Sequence, residues 1–406
     1  QYTNRICELL NHGRHIAPVA VLYNAEADWS GNCMQLQKPA LQLADRQIDY
    51  DFIPADVFSE PEKYHTELGA VLKVNRQEYR ALVIPYMQFI PSCVLHAVPI
   101  LEKNGCSVLF LNQLPQGICD GEGDMPDDLT DSCIIPLDEL TAALDDLHIP
   151  EIALEPANNR IRYYHYKNGN DIYLFVNEGT ELYSGQISVP QTGNCYAYNA
   201  WDNRTETLIV QATDHATCLT VALEPQKSLI VVFDEIQDMI HPVIPYKSVA
   251  TMWNNSWSRS VCTSINYPAF TDHKEITLPD KLEHEAPEFS GFIRYEKEYV
   301  CKNLPKQLLL EITDAYEGVE LFINDVSLGI QIVPSFQYDL TEHLRSGSNR
   351  IRIEVATTLE RATYKLPDFW SLVGQKKKPI CPSGINGEII LWVHENTGGL
   401  IDEKNH

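Results

Sequence analysis

The chain has 406 residues, 44% of them hydrophobic and 21% charged, the balance of a water-soluble protein with two to four separately cored domains. A formal net charge of −25 argues against nucleic acid or an anionic membrane as partner, because both call for a basic surface. No apolar run reaches the ~18 residues of a membrane span. The eleven cysteines are scattered singly without a C-x-x-C pair, so free thiols in a reducing, cytoplasmic setting are expected. The chain starts at Gln1 without a signal-peptide layout, as a piece of a longer protein would.

In chain order, residues 1–16 carry a helical stripe of Ile6, Leu9, Leu10 and Ile16, with Gly13 near a break. The run from Pro18 to Tyr23 is continuously apolar, as in a strand buried on both faces. Helical spacing follows from Gly31 to Arg46, and strands are expected at 49–53, 79–84 and 106–111. Between the last two, residues 91–103 read as a helix with Pro91 in its first turn and Gly105 capping its end. Alternating strands and helices predict a doubly wound parallel sheet, so residues 1–150 form an α/β domain of flavodoxin-like type. The stretches VAVLY, DYDFIPADVF and YRALVIPYMQFIPSCVLHAVPILEKNGCSVLFL resemble the class I glutamine amidotransferase-like module of several glycoside hydrolases, called the trimerisation domain in family 42 β-galactosidases.

A working amidotransferase needs a cysteine on a glycine-flanked elbow. Here Pro85-Tyr86-Met87 follows the third strand instead. Cys93 is the remaining nucleophile candidate, at a helix N-terminus with His96 three residues on. Ligands of open α/β sheets gather at strand carboxyl ends, which nominates Glu26 and Asp28 after the first strand; the alternative is a helix-capping acidic loop. His12, Arg14 and His15 could complete such a site or lie on the surface. Asp120, Glu122 and Asp124 begin like a calcium loop, but Met125 stands where the EF-hand turn needs Gly, and Asp131 where it needs Glu. A solvated acidic loop is the preferred reading over a cation site.

From residue 150 the hydrophobic period shortens. Residues 160–166 and 171–176 read as strands joined by Asn168-Gly169-Asn170, a hairpin signal, and five further short strands reach Phe233. Residues 151–240 are therefore a small antiparallel β-sandwich. Trp201-Asp202 before a turn and Ser228 opening the last strand resemble the connecting β-domain of family 106-like enzymes. Residues 241–252, with Pro242 and Pro245, read as a linker.

The third domain, 253–406, has the densest signals. Val319, Leu321 and Ile323 alternate with polar neighbours, Asn324-Asp325 turns, Phe336 leads into Asp339-Leu340-Thr341, and Gly347-Ser348-Asn349 precedes Ile351, Ile353 and Val355. With Phe289-Ser290-Gly291 and residues 383–389, this resembles the galactose-binding-like jelly roll of family 2 and family 106 glycoside hydrolases. The fold class implied is α/β plus all-β.

The resemblances imply the C-terminal ancillary region of a multidomain glycoside hydrolase, supporting or oligomerising an upstream catalytic barrel. The alternative is a free-standing carbohydrate-binding or assembly protein. A (β/α)₈ barrel takes about 250 residues, and the alternation here stops near residue 111, so no barrel is expected. Carbohydrate is the expected partner, with Trp257 and Trp370 as candidate stacking faces and homo-oligomerisation open. No Gly-rich phosphate loop or zinc-spaced His/Cys set occurs, and no cofactor is expected.

Overall fold

The computed structural model describes residues 2–23, 25, 27–121, 129, 132–201, 203–234, 246–366 and 381–396. The chain divides into two compact units, Gln1–Val243 and Ile244–His406. The regions read as two domains, 1–150 and 151–240, thus fall within one unit.

That first unit contains a parallel sheet of five strands, ordered Tyr50–Pro54, Val19–Tyr23, Ala81–Ile84, Ser107–Leu111 and Cys133–Ile135. Numbered along the chain this is 2-1-3-4-5, a doubly wound order. Val19 to Leu22 and Ala81 to Ile84 are almost wholly buried, because helices cover both faces of the sheet. The fifth strand was not predicted, since Cys133–Ile135 is too short to show a period. The helix Ser92–Lys103 starts after Pro91 and ends before Gly105, whose φ of 94° is the left-handed conformation a helix stop uses.

Two expected helices are shorter than their hydrophobic patterns. The segment 31–46 is helical only over Gln37–Asp45. The N-terminal helix ends at Leu9, and Arg14–His15 is a strand paired with Tyr166 and Lys167. Gly13 allows this crossing: its amide donates to the Tyr166 hydroxyl at 2.7 Å, and a Cβ would run into the Lys167 carbonyl. The helix packs Ile6, Leu9 and Leu10 on the outer face of the sandwich, and Tyr2 stacks on Trp201 at 4.2 Å.

The sandwich joins a six-stranded sheet, which includes Arg14–His15, Ile161–Lys167, Asp171–Asn177 and Ser228–Phe233, to a four-stranded one, which includes Tyr183–Val189 and Thr217–Leu223. The predicted hairpin forms, with Lys167 opposite Asp171 and Gly169 at φ 105°. Tyr173, Phe175, Ile187, Leu219 and Val231 fill the space between the sheets.

Among the described residues the second unit has antiparallel sheets of four and six strands and a two-stranded one, Ala315–Tyr316 with Gly384–Ile385. Its first strand is Tyr246–Met252, which pairs with Ile389–Asn396; most of the predicted linker is therefore sheet, and residues 241–245 lie outside the described ones. Asn324 and Asp325 both have positive φ (49° and 69°), the conformation of a two-residue hairpin turn. Asn349, fully buried, ties that turn down: its Oδ1 accepts from Asn324 Nδ2 at 2.9 Å and from the Arg345 amide at 2.8 Å. Asp280 ties its loop to the six-stranded sheet, accepting from Arg259 and from the Tyr295 hydroxyl, each at 2.6 Å, and from the Lys281 and Leu282 amides.

Candidate functional site

In a 2-1-3-4-5 sheet the ligand crevice lies beyond the carboxyl ends of the first and third strands, where the winding reverses. Here that end is covered by the chain itself. Residues 32–34 cross it and pair with residues 86–88: Met34 N donates to Tyr86 O at 2.7 Å, Gln88 N to Asn32 O at 2.8 Å, and Cys33 bridges Met87. Gln88 Oε1 also accepts from the Asn32 amide at 3.1 Å. The route out of Ile84 is therefore extended chain, with Phe89–Ile90 paired to Gly117–Ile118, and the next helix begins only at Ser92. A nucleophile elbow requires the strand to turn directly into a helix.

Three predicted residues gather along this edge, each with a partner inside the protein. Asp28, in the short helix Ala27–Ser30, accepts the Cys33 thiol at 2.8 Å. That bond, with partial burial, raises the Cys33 pKa. Asp120 holds the first turn of the helix Ser92–Lys103: Oδ1 accepts from the Ser92 amide at 2.8 Å and Oδ2 from its hydroxyl at 3.0 Å. Cys93, half-buried, points its thiol at the Ala55 carbonyl, 3.6 Å away. Burial, then the Asp120 carboxylate, push its pKa up, although the helix amides pull it down. A nucleophilic cysteine needs the opposite shift. His96 is exposed. Glu26, Glu122 and Asp124 lie outside the described residues, and the described ones hold no cluster of three His, Cys, Asp or Glu suited to a metal.

The remaining predictions separate. Trp257 has no exposed surface; its indole donates to the Trp253 carbonyl at 2.8 Å and packs edge-on to the Trp253 ring, so it offers no face to a sugar. This corrects the expectation for Trp257: a Trp flanking a loop in sequence is the first large side chain of the core in space. Trp370 lies outside the described residues. Arg14 bonds the Arg76 carbonyl at 2.9 Å, and His12 is an exposed turn residue with φ 61°.

His15 sits at the amino end of the parallel sheet, a strand length of about 16 Å from Asp28. Its Nε2 lies 2.7 Å from Asp49 and its Nδ1 3.1 Å from Asp51, and the ring stacks on Tyr164 at 4.4 Å. Burial lowers its pKa, but the hydrogen bonds and charges of the two carboxylates outweigh that and hold it at about 9. A second clamp lies beside it, since Ile16 N donates to the His165 carbonyl at 2.9 Å. His165, buried, lies 3.2 Å from Glu151 and 3.0 Å from Asp171 and stacks on Tyr173 at 4.2 Å. Its pKa too is raised against burial by its two carboxylates. Sequence reasoning missed both clamps, though Asp49-Tyr50-Asp51 puts two carboxylates on one face of a strand.

Two further features were not foreseen. Trp29, 91% exposed, stands on the short helix Ala27–Ser30 and lines a shallow hollow with Ala25, Ser30 and Cys119. A groove of about 1060 Å³ runs between the end of the helix Gln37–Asp45 and the sandwich loops at 157–160 and 177–181.

No family model and no curated protein matches the sequence. Solved structures do. A rhamnosidase from Novosphingobium sp. PP1Y follows 96% of this chain with a TM-score of 0.69 at 18% identity, and the chain spans 40% of that protein's length. At that identity the likeness is one of fold. A β-glucuronidase from glycoside hydrolase family 2 covers 37% of this chain and 18% of its own, at 18% identity and a TM-score of 0.29. A β-glucuronidase from an uncultured Clostridium sp. covers 39% and 31%, at 18% identity and a TM-score of 0.28. The chain is thus similar in structure to part of a rhamnosidase.

Proposed function

We propose that this chain is the non-catalytic, ancillary part of a glycoside hydrolase acting in carbohydrate metabolism, and that it supports or oligomerises a catalytic barrel. The observation that carries this reading is the fold similarity to a rhamnosidase over 96% of this chain but only 40% of that enzyme. On this reading the parallel sheet is a glutamine amidotransferase-like module of flavodoxin-like type that has lost its catalytic elbow. The second unit is a galactose-binding-like jelly roll. The closed crevice and the raised Cys93 thiol favour a structural role for the first module. None of the eleven cysteines is joined in a disulfide, which agrees with a cytoplasmic location.

The test combines mass and turnover. Light scattering of the purified chain is expected to give a discrete oligomer. Assays against aryl α-L-rhamnosides and aryl β-glucuronides at high protein concentration are expected to give no turnover. Turnover that disappears in Cys93→Ala, or in a variant of Glu26 and Asp28, overturns the reading and puts an active site at the sheet edge. A carbohydrate-binding protein without hydrolase activity is the second reading, favoured by Trp29, whose uncovered ring is the kind of platform sugars stack on. Binding of a sugar by the chain alone, weakened in Trp29→Ala, together with no turnover, would favour it.

A further inference from the structure

We propose that the groove between the helix Gln37–Asp45 and the sandwich loops is a binding site for a neutral carbohydrate, a site that the ancillary reading does not require. Its volume, about 1060 Å³, is at the upper end of small-ligand clefts. The floor is built and rigid. Asn177, 1% exposed, donates to the Glu181 and Leu223 carbonyls at 2.8 and 2.9 Å and accepts from the Gly179 amide at 2.9 Å. Arg162 clamps the adjoining wall, bonding Glu178 at 2.8 Å and the Asn159 carbonyl at 2.9 Å, and pairing with Asp45 at 3.2 Å.

One buried group of this floor is left with capacity. Gln47 is 5% exposed, and the two N–H groups of its Nε2 are shared among three carbonyls, of Asp45, Asn158 and Ile161, at 3.1, 3.0 and 2.8 Å. Three acceptors fix which amide atom is nitrogen. Gln47 Oε1, on a residue lining the groove, then has no partner among the described residues. That oxygen is not shut off from solvent, so it is an acceptor a ligand hydroxyl can reach.

The rim carries the complementary groups. The Asn159 carboxamide, Arg160 guanidinium and Glu181 carboxylate line the opening, exposed and without side-chain partners among the described residues. Arg46 is paired with Asp145, and Arg160 and Glu181 offset each other, but the one charge of Arg162 is shared between Asp45 and Glu178, so the opening carries one net negative charge. The site therefore disfavours an anion. An acceptor in the floor with donors and an acceptor at the rim matches a run of neighbouring hydroxyls, each both donor and acceptor. Leu154 and Ala157 supply apolar wall for the C–H face of a sugar ring. No aromatic ring lines the groove, so the affinity is expected in the millimolar range.

The experiment is saturation-transfer NMR on the full chain with methyl α-L-rhamnoside, methyl β-D-galactoside and maltotriose as neutral probes and galacturonate as the charged control. A neutral probe is expected to bind, with affinity at least about fivefold weaker in Arg160→Ala and in Glu181→Gln and unchanged in Trp29→Ala. Both rim side chains are exposed, so neither change threatens the fold. Absence of transfer to every neutral probe at tens of millimolar overturns the proposal. So does binding of galacturonate alone, or binding abolished by Trp29→Ala and indifferent to the rim variants. Binding is read on this chain without a barrel, so its failure leaves the ancillary reading standing, and turnover by the chain leaves the groove standing.

Discussion

The two ends of the parallel sheet contrast. At the carboxyl end, where function is expected of this topology, Asp28, Cys93 and Asp120 have structural partners, and the crevice is covered by residues 32–34. At the amino end, His15 and His165 are each clamped between two carboxylates, with both imidazole pKa values raised. Strong perturbation of titratable groups is a guide to active sites, yet structural ion networks produce it as well. Here the perturbed groups sit where the parallel sheet meets the sandwich: Asp49 and Asp51 belong to the one, and the stacking Tyr164 to the other. The lesson is that the end of the sheet with the most unusual electrostatics is the end that joins the modules.

The contrast breaks most readily at His15. Its folded pKa of about 9 lies above the ordinary 6.5, so its contribution is complete below pH 6.5 and lost as pH rises through 9. Asp51 is lowered from its ordinary 3.8: burial alone would raise it, but its bonds to His15 and Tyr79 prevail. Its contribution is present above 3.8 and lost as pH falls further. Stability is therefore expected to be greatest between about pH 4 and pH 6.5 as far as this clamp is concerned. His15→Ala should cost on the order of 3 kcal/mol at pH 6 and flatten the alkaline limb, as read by urea unfolding across pH. If the alkaline limb survives in His15→Ala, the clamp is not what joins the modules.

His165→Gln tests the second clamp in the same assay. The partly buried Glu151 would lose its imidazole partner, Asp171 would keep only Lys167, and a loss of about 2 kcal/mol is expected. At the other end of the sheet the effects shrink. Asp120→Ala removes a cap from the helix Ser92–Lys103 and should cost about 1 kcal/mol. It should also lower the Cys93 pKa, visible as faster iodoacetamide alkylation at a given pH. A cost near zero would mean that Asp120 is free for some other ligand. Asp28→Ala, at an exposed position, should change stability by no more than about 0.5 kcal/mol while lowering the Cys33 pKa.

Much of the fold was legible from residues alone because it is encoded locally. Three of the four longer parallel strands announce themselves as apolar runs, and Asn168-Gly169-Asn170 and Asn324-Asp325 specify turns through their own backbone preferences. Gly105 and Pro91 bracket a helix for the same reason. Where a pattern outran its element, as in residues 1–16, the override came from a distant strand: Tyr166 and Lys167 captured Arg14–His15.

What tertiary structure decided is how residues far apart in the chain meet. The Trp257 ring was open to two readings until the sandwich closed over it. The covered crevice depends on residues 32–34 meeting residues 86–88, and the clamp on His15 meeting Asp49 and Asp51. The groove depends on Gln47 reaching carbonyls at Asn158 and Ile161, more than a hundred residues away. Hydrophobic period and turn chemistry act over a few residues and are written in the sequence. Hydrogen-bond partners and burial are properties of neighbours in space, and only the folded chain supplies those.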